Sequence, residues 1–198
     1  YGTGHVTFSG SRVTGNRKSS GSWANVCVET SSNLSVEDGG KVKLAAGVCL
    51  QVDRLTVAGV DQDPGVYTAS AGWVEGAGCV YNGVYPQATW TGGGETTSLT
   101  DPANWGGTCP DFGFPVYKVT FPAKARVSVP DGVYAVYGVS FAGADVMLEG
   151  EGELAVGSAG FLVPASVTVG CPVSLNAAAV PFDVAEGAEL KFVSHGVS

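Results

Sequence analysis

Charge is scarce in this sequence. Asp, Glu, Lys and Arg make up 14% of its 198 residues, against about 25% in an average soluble domain. Ten Lys and Arg face eighteen Asp and Glu, a net charge of −8. A surface of that sign repels phosphate backbones, which excludes general nucleic-acid binding, and it disfavours anionic membrane surfaces. Long apolar runs are also missing. No stretch reaches the roughly 18 residues of a membrane-crossing helix, so no direct membrane insertion is expected in this segment. Methionine occurs once and long helix formers are few. There is no GxGxxG unit leading into a helix and no P-loop, which leaves nucleotide binding without support. No CxxC pair or His–Cys cluster offers a zinc site. His5 and His195 lie at opposite ends of the chain, and neither stands beside Ser or Cys in a nucleophile-elbow context. No cofactor and no catalytic residue is expected.

What is present is strand and turn. Glycine accounts for 30 of 198 residues, about twice its usual share of about 7%, and Val, Thr and Ser are abundant. Hydrophobic residues reach 44%, enough for a continuous core. In "NLSVEDGGKVKLAAGVCLQV" (33–52) short apolar alternations are separated by glycine turns. The inward positions are Val26, Val28, Leu34, Val36, Val42, Leu44, Val48, Leu50, Val52, Leu55 and Val57. Strands this short cannot bury their faces alone, are too closely spaced for helical crossovers, and lack the usual Asn-Gly hairpin signal. Three short strands per coil, stacked coil on coil, satisfy the pattern. The expected fold is an all-β, right-handed parallel β-helix (β-solenoid) with irregular coils. "VYKVTF" with Tyr117, Val119 and Phe121, and "RVSV" with Val127 and Val129, continue the texture in the second half. Residues 82–115, rich in Gly, Pro, Thr and Trp, read as a junction between two tandem modules, 1–84 and 85–198.

Five cysteines stand at 27, 49, 79, 109 and 171, an odd number that leaves at least one unpaired within the chain. Cys27 and Cys49 each sit between two inward residues, 22 positions apart, close to one coil. On adjacent rungs their backbones would lie about 4.8 Å apart, within the span of a disulfide. The alternative is two free thiols in a ladder. Trp90 and Trp105 are expected to cover a coil end, and less readily to serve as glycan-stacking platforms.

The acidic groups give little purchase. In "EGEGE", Glu149, Glu151 and Glu153 would share one face of an extended segment and could bind Ca²⁺, but the intervening glycines favour a floppy, solvated turn. Asp61 and Asp63 in "VDQDPG" suit ordinary turn chemistry. Asp53 and Arg54 read as a surface pair. Arg12, Arg17 and Lys18 read as a solvated loop, with acidic-glycan recognition as the sharper alternative.

Three stretches carry a resemblance. "LTVAGVDQDPGVYTASAGWVEGAGCVYNG" (55–83) resembles the closing segment of modules in bacterial autotransporter-associated β-strand repeat proteins. "ATWTGGGETTSLTDPANWGGTCPD" (88–111) is similar to the opening of the next module, and "VTVGCPVSLNAAAVPFDVAEGAELKFVSHGVS" (167–198) to the repeat itself. The resemblance implies β-solenoid modules of a large secreted protein at the bacterial cell surface, with a structural or adhesive task and no catalytic residues to carry over. Cysteine departs from that repeat pattern, and no membrane barrel or sorting tail occurs in these residues. The chain is expected to be a mature fragment or a piece of a longer protein, with self-association or extracellular glycans as its partners. A carbohydrate-binding module, or a polysaccharide lyase or hydrolase on a β-helix, is the competing expectation.

Overall fold

The computed structural model describes residues 6–9, 12–17, 23–29, 33–45, 48–176 and 180–193, the first three segments as backbone alone. It is all-β with almost no helix, its strands stacked as a β-solenoid of about 7 turns in all. The chain divides into two compact units, Tyr1–Val84 and Tyr85–Ser198.

The first unit contains β1 (Val6–Ser9), β2 (Arg12–Arg17), β3 (Trp23–Glu29), β4 (Asn33–Val36), β5 (Val42–Leu44), β6 (Cys49–Val52), β7 (Arg54–Val57), β8 (Val60–Asp61), β9 (Gly65–Tyr67), β10 (Val74–Gly76) and β11 (Cys79–Asn82). Three parallel pairs define its coil: β4 with β7, β5 with β10, and β6 with β11. The inward residues Leu34, Val36, Val42, Val52, Leu55, Val74 and Val80 form its core. Val48, expected inward, is exposed because it precedes β6 at a corner.

The unit is not parallel throughout. β2 pairs antiparallel with β3, and β1 antiparallel with β4. Arg12 and Arg17 therefore lie in a strand rather than a loop; their side chains, Lys18, His5 and His195 lie outside the described residues. Between β7 and β8 the chain reverses through Ala58 and Gly59, whose φ values of 49° and 78° are both left-handed. Such a turn matches strand twist, and its second residue is Gly. The excursion through β8 and β9 lengthens two sides of the coil: Asn33 pairs with Arg54, but Val42 pairs with Val74 and Cys49 with Cys79.

The second unit is more regular. It comprises β12 (Gln87–Thr89), β13 (Lys118–Phe121), β14 (Arg126–Ser128), β15 (Val133–Phe141), β16 (Val146–Glu149), β17 (Glu153–Val163), β18 (Val167–Gly170), β19 (Val173–Leu175), β20 (Phe182–Val184) and β21 (Leu190–Phe192). All its ladders are parallel. One sheet runs β12-β13-β15-β17-β19, with β20 also on β17; the other runs β14-β16-β18-β21. The long strands β15 and β17 each turn a corner and supply two sides of a coil.

Phe121, Phe141 and Phe161 recur every 20 residues, and each is at most 1% exposed. Phe121 stacks on Phe141 with centroids 6.1 Å apart. The column then breaks, because β17 carries two more residues than β15 opposite Tyr137: Val136 pairs with Val156 but Gly138 with Gly160. Phe161 consequently sits over Val139 and passes the aromatic column to Phe182, at 5.2 Å.

Candidate functional site

The stretch between β12 and β13 is an ordered cap beneath the first coil of the second unit. Three contacts place it. β12 pairs with β13, Ser98 bridges to Ser128 of β14, and the Ala135 amide of β15 donates to the Phe112 carbonyl. All three sides of that coil thus receive a backbone partner from the cap. Trp90, Leu99, Trp105 and Phe112 fill its interior below Phe121. Trp90 and Trp105 meet edge to face at 5.3 Å, a favoured aromatic geometry, and the Trp105 indole Nε1 donates to the Leu99 carbonyl at 2.6 Å.

The cap is held by polar groups with defined partners. Asp101 caps a single 3-10 turn, Pro102–Trp105, accepting from the Ala103 amide through Oδ1 and from the Thr96 hydroxyl through Oδ2. Asn104 is fully buried. Its Nδ2 donates to the Thr96 and Ser98 carbonyls, and its Oδ1 accepts from the Gly94 amide. A Cβ at Gly94 would stand 2.6 Å from Asp101 Oδ2 and 2.8 Å from Asn104 Oδ1, so the glycine run lets the backbone approach these side chains.

Between the cap and the turn 122–126 lies an open groove of about 340 Å³. Thr91, Glu95, Thr96, Lys124, Arg126 and an edge of Trp90 line it. Arg126 is already engaged, its Nη1 donating to the Ala125 and Asp145 carbonyls. The groove offers a carboxylate and an ammonium, while the Thr91 and Thr96 hydroxyls, which donate to the Ala103 and Asn104 carbonyls and to Asp101, are left only to accept; such groups suit hydrogen bonding to a polyol. Trp90 and Trp105, only 3% and 8% exposed, present no free ring face, so neither is a stacking platform; the plug they form consumes both rings.

Cys49 is bonded to Cys79, with Cα atoms 4.5 Å apart. This corrects the expected Cys27–Cys49 bridge. Cys49 and Cys79 are direct register partners in β6 and β11, whereas Cys27 lies in β3, opposite Thr14 of a hairpin. The excursion between β7 and β10 moves the coil partner of Cys49 to 30 residues onward. Cys109 and Cys171 are free thiols. Burial raises both: Cys109 with help from the Asp101 charge, Cys171 to about 11.

The remaining acidic candidates do not converge. Glu149 ends β16 and Glu153 begins β17, so a corner separates them. Glu153 accepts from the Ser174 hydroxyl. The intervening glycines are not loose: a Cβ at Gly152 would collide with the Pro130 carbonyl one coil below. Among the described residues no group of three or more His, Cys, Asp or Glu is placed to hold a metal ion. Arg54 pairs with Asp61, not Asp53, through Nε at 3.0 Å and Nη2 at 2.6 Å. The antiparallel β7–β8 pairing puts Thr56 opposite Asp61, and the Thr56 hydroxyl also donates to that carboxylate. The Asp63 carbonyl accepts from Tyr67 Oη and from buried Asn82. No family model, curated protein or solved structure matches the chain.

Proposed function

We propose that this chain is a structural or adhesive segment of a large secreted protein of the bacterial cell surface, working through its stacked coils rather than through a reaction. The observation that carries the reading is the filled interior of the second unit: Phe121, Phe141, Phe161, Val139 and Val163 occupy successive rungs at no more than 1% exposure. Every side of a coil is roofed by the next, so length is added by repeating a rung rather than by redesigning a core. The Cys49–Cys79 bridge supports an oxidising, extracytoplasmic setting, where disulfides persist. Labelling intact source cells with an antibody raised to residues 85–198 tests it. Signal without permeabilisation is expected; signal only after permeabilisation overturns the surface assignment.

Carbohydrate recognition is the second reading, and the groove beside the cap favours it. Its hydroxyls, with Glu95 and Lys124, suit a short glycan segment. Glycan-array binding that is lost in Glu95→Gln with Lys124→Ala, and retained in a distant surface variant, would establish it. A blank array would remove it.

A further inference from the structure

The peptide bond between Asp63 and Pro64 lies in the excursion between β7 and β10, and both residues are exposed. Its carbonyl is nevertheless held by two side chains. The Asp63 carbonyl oxygen accepts from the Tyr67 hydroxyl at 2.8 Å and from Asn82 Nδ2 at 3.0 Å. Both donors stand on paired strands: Tyr67 ends β9, Asn82 ends β11, and β11 lies between β9 and β6. Upstream, the Gln62 amide donates to the Leu55 carbonyl at 2.9 Å, and the Gln62 carbonyl accepts from Asn82 Nδ2 at 2.8 Å. The backbone is thus tied down on either side of the bond. Asn82 is 4% exposed, and among the described residues its Oδ1 has no hydrogen-bond partner. A buried amide left half-satisfied costs stability, and here the satisfied half is the one that donates to the two carbonyls preceding Pro64.

The geometry points to Asp63–Pro64 as a self-cleaving bond, with the Asp63 side-chain carboxylate as nucleophile and Tyr67 and Asn82 as its oxyanion hole. A carboxylate one methylene away from its own backbone carbonyl closes a five-membered ring, so attack needs no diffusive encounter. Both donors stand within the range of about 2.7–3.1 Å at which hydrogen bonds stabilise a developing oxyanion. The carboxylate oxygen bonds to the Asp63 carbonyl carbon, and the negative charge passes to the carbonyl oxygen that faces Tyr67 and Asn82. A proton from solvent reaches the Pro64 nitrogen, the C–N bond breaks, and proline, which carries no amide hydrogen, leaves as a secondary amine. The cyclic anhydride left on Asp63 is opened by one water to two carboxyl groups, at a position that water reaches freely. Tyr67 stays protonated as a donor, because burial, then the Asp63 charge, raises its phenol. Cys49 and Cys79 flank the bond, so the cut halves, 1–63 and 64–198, remain joined through their bridge. Cleavage converts a loop closed by a disulfide into two chains held by it.

The test is incubation of the folded 198-residue chain at about pH 5, beside the same chain unfolded in urea. Mass spectrometry is expected to show the mass of one added water without reductant, and after reduction two fragments, the second beginning at Pro64. The folded chain is expected to cleave at least about tenfold faster than the unfolded one, a comparison that needs no variant. Asp63→Asn, at an exposed position, is expected to abolish the cut. Tyr67→Phe keeps the ring that packs against Trp73 and is expected to slow cleavage at least about tenfold with the melting temperature unchanged. An intact folded chain, a folded rate no faster than the unfolded one, cleavage that survives Asp63→Asn, or an unchanged rate in Tyr67→Phe each overturns the proposal. None of these outcomes touches the surface assignment, which stands or falls on the cell labelling.

Discussion

Cys49 and Cys79 are cross-strand neighbours, and their bond closes the β7–β10 excursion onto the coil. Peptide mapping under non-reducing conditions is expected to return a single 49–79 linked pair. Replacing both with Ala is expected to cost about 2–4 kcal/mol in chemical denaturation, since the bridge restrains a loop of 30 residues in the unfolded chain. The free thiols of Cys109 and Cys171 are expected to differ in reactivity. Cys171, buried and pushed to about 11, holds only about one part in a thousand as thiolate at pH 8, so iodoacetamide labels the half-buried Cys109 first; mass spectrometry over time reads the order. Asp61 shows a different balance. The Arg54 hydrogen bond, then that of Thr56, lowers its carboxyl. Its folded value is therefore depressed, and any stability it adds is present above the ordinary carboxylate range and lost as pH falls through the lowered value. Both partners are solvent-exposed, so Asp61→Asn is expected to leave the melting temperature nearly unchanged, as scanning fluorimetry at pH 7 would show.

At the level of strands, the inward columns carry the stability. Phe141→Ala removes a ring at 0% exposure between Phe121 and the next coil and is expected to destabilise the second unit by about 3–5 kcal/mol in urea titration. Gly152→Ala forces a Cβ into the Pro130 carbonyl, and a loss of at least about 1–3 kcal/mol is expected by the same measurement. These columns were legible from alternation alone: Leu34, Val36, Val119, Phe121, Val127 and Val129 are all inward and buried. Register was not. Period-two patterning states which face a residue takes but not which strand it meets, so the Val26–Cys27–Val28 alternation reads identically in a hairpin and in a coil. The bridge partner of Cys49 was hidden for the same reason, because sides of one coil differ in length by the β8–β9 excursion. The cap was recognisable as a change in composition, but its buried Asn104 and the groove beside it depend on side-chain partners that no local pattern encodes.

Among the described residues most ladders join positions 20 or more apart, and refolding from denaturant is expected to take milliseconds to seconds or longer, slower than a helical domain of equal size; stopped-flow fluorescence of the buried Trp residues would follow it. The cap of the second unit bears on how that process runs during biosynthesis. The plug is encoded ahead of the coils it supports: residues 87–112 leave the ribosome before 118–192. A nascent chain therefore completes this base only as β13, β14 and β15 emerge to pair with it, and each later winding finds a ready edge in turn. Assembly gains a direction from the order of the genetic message.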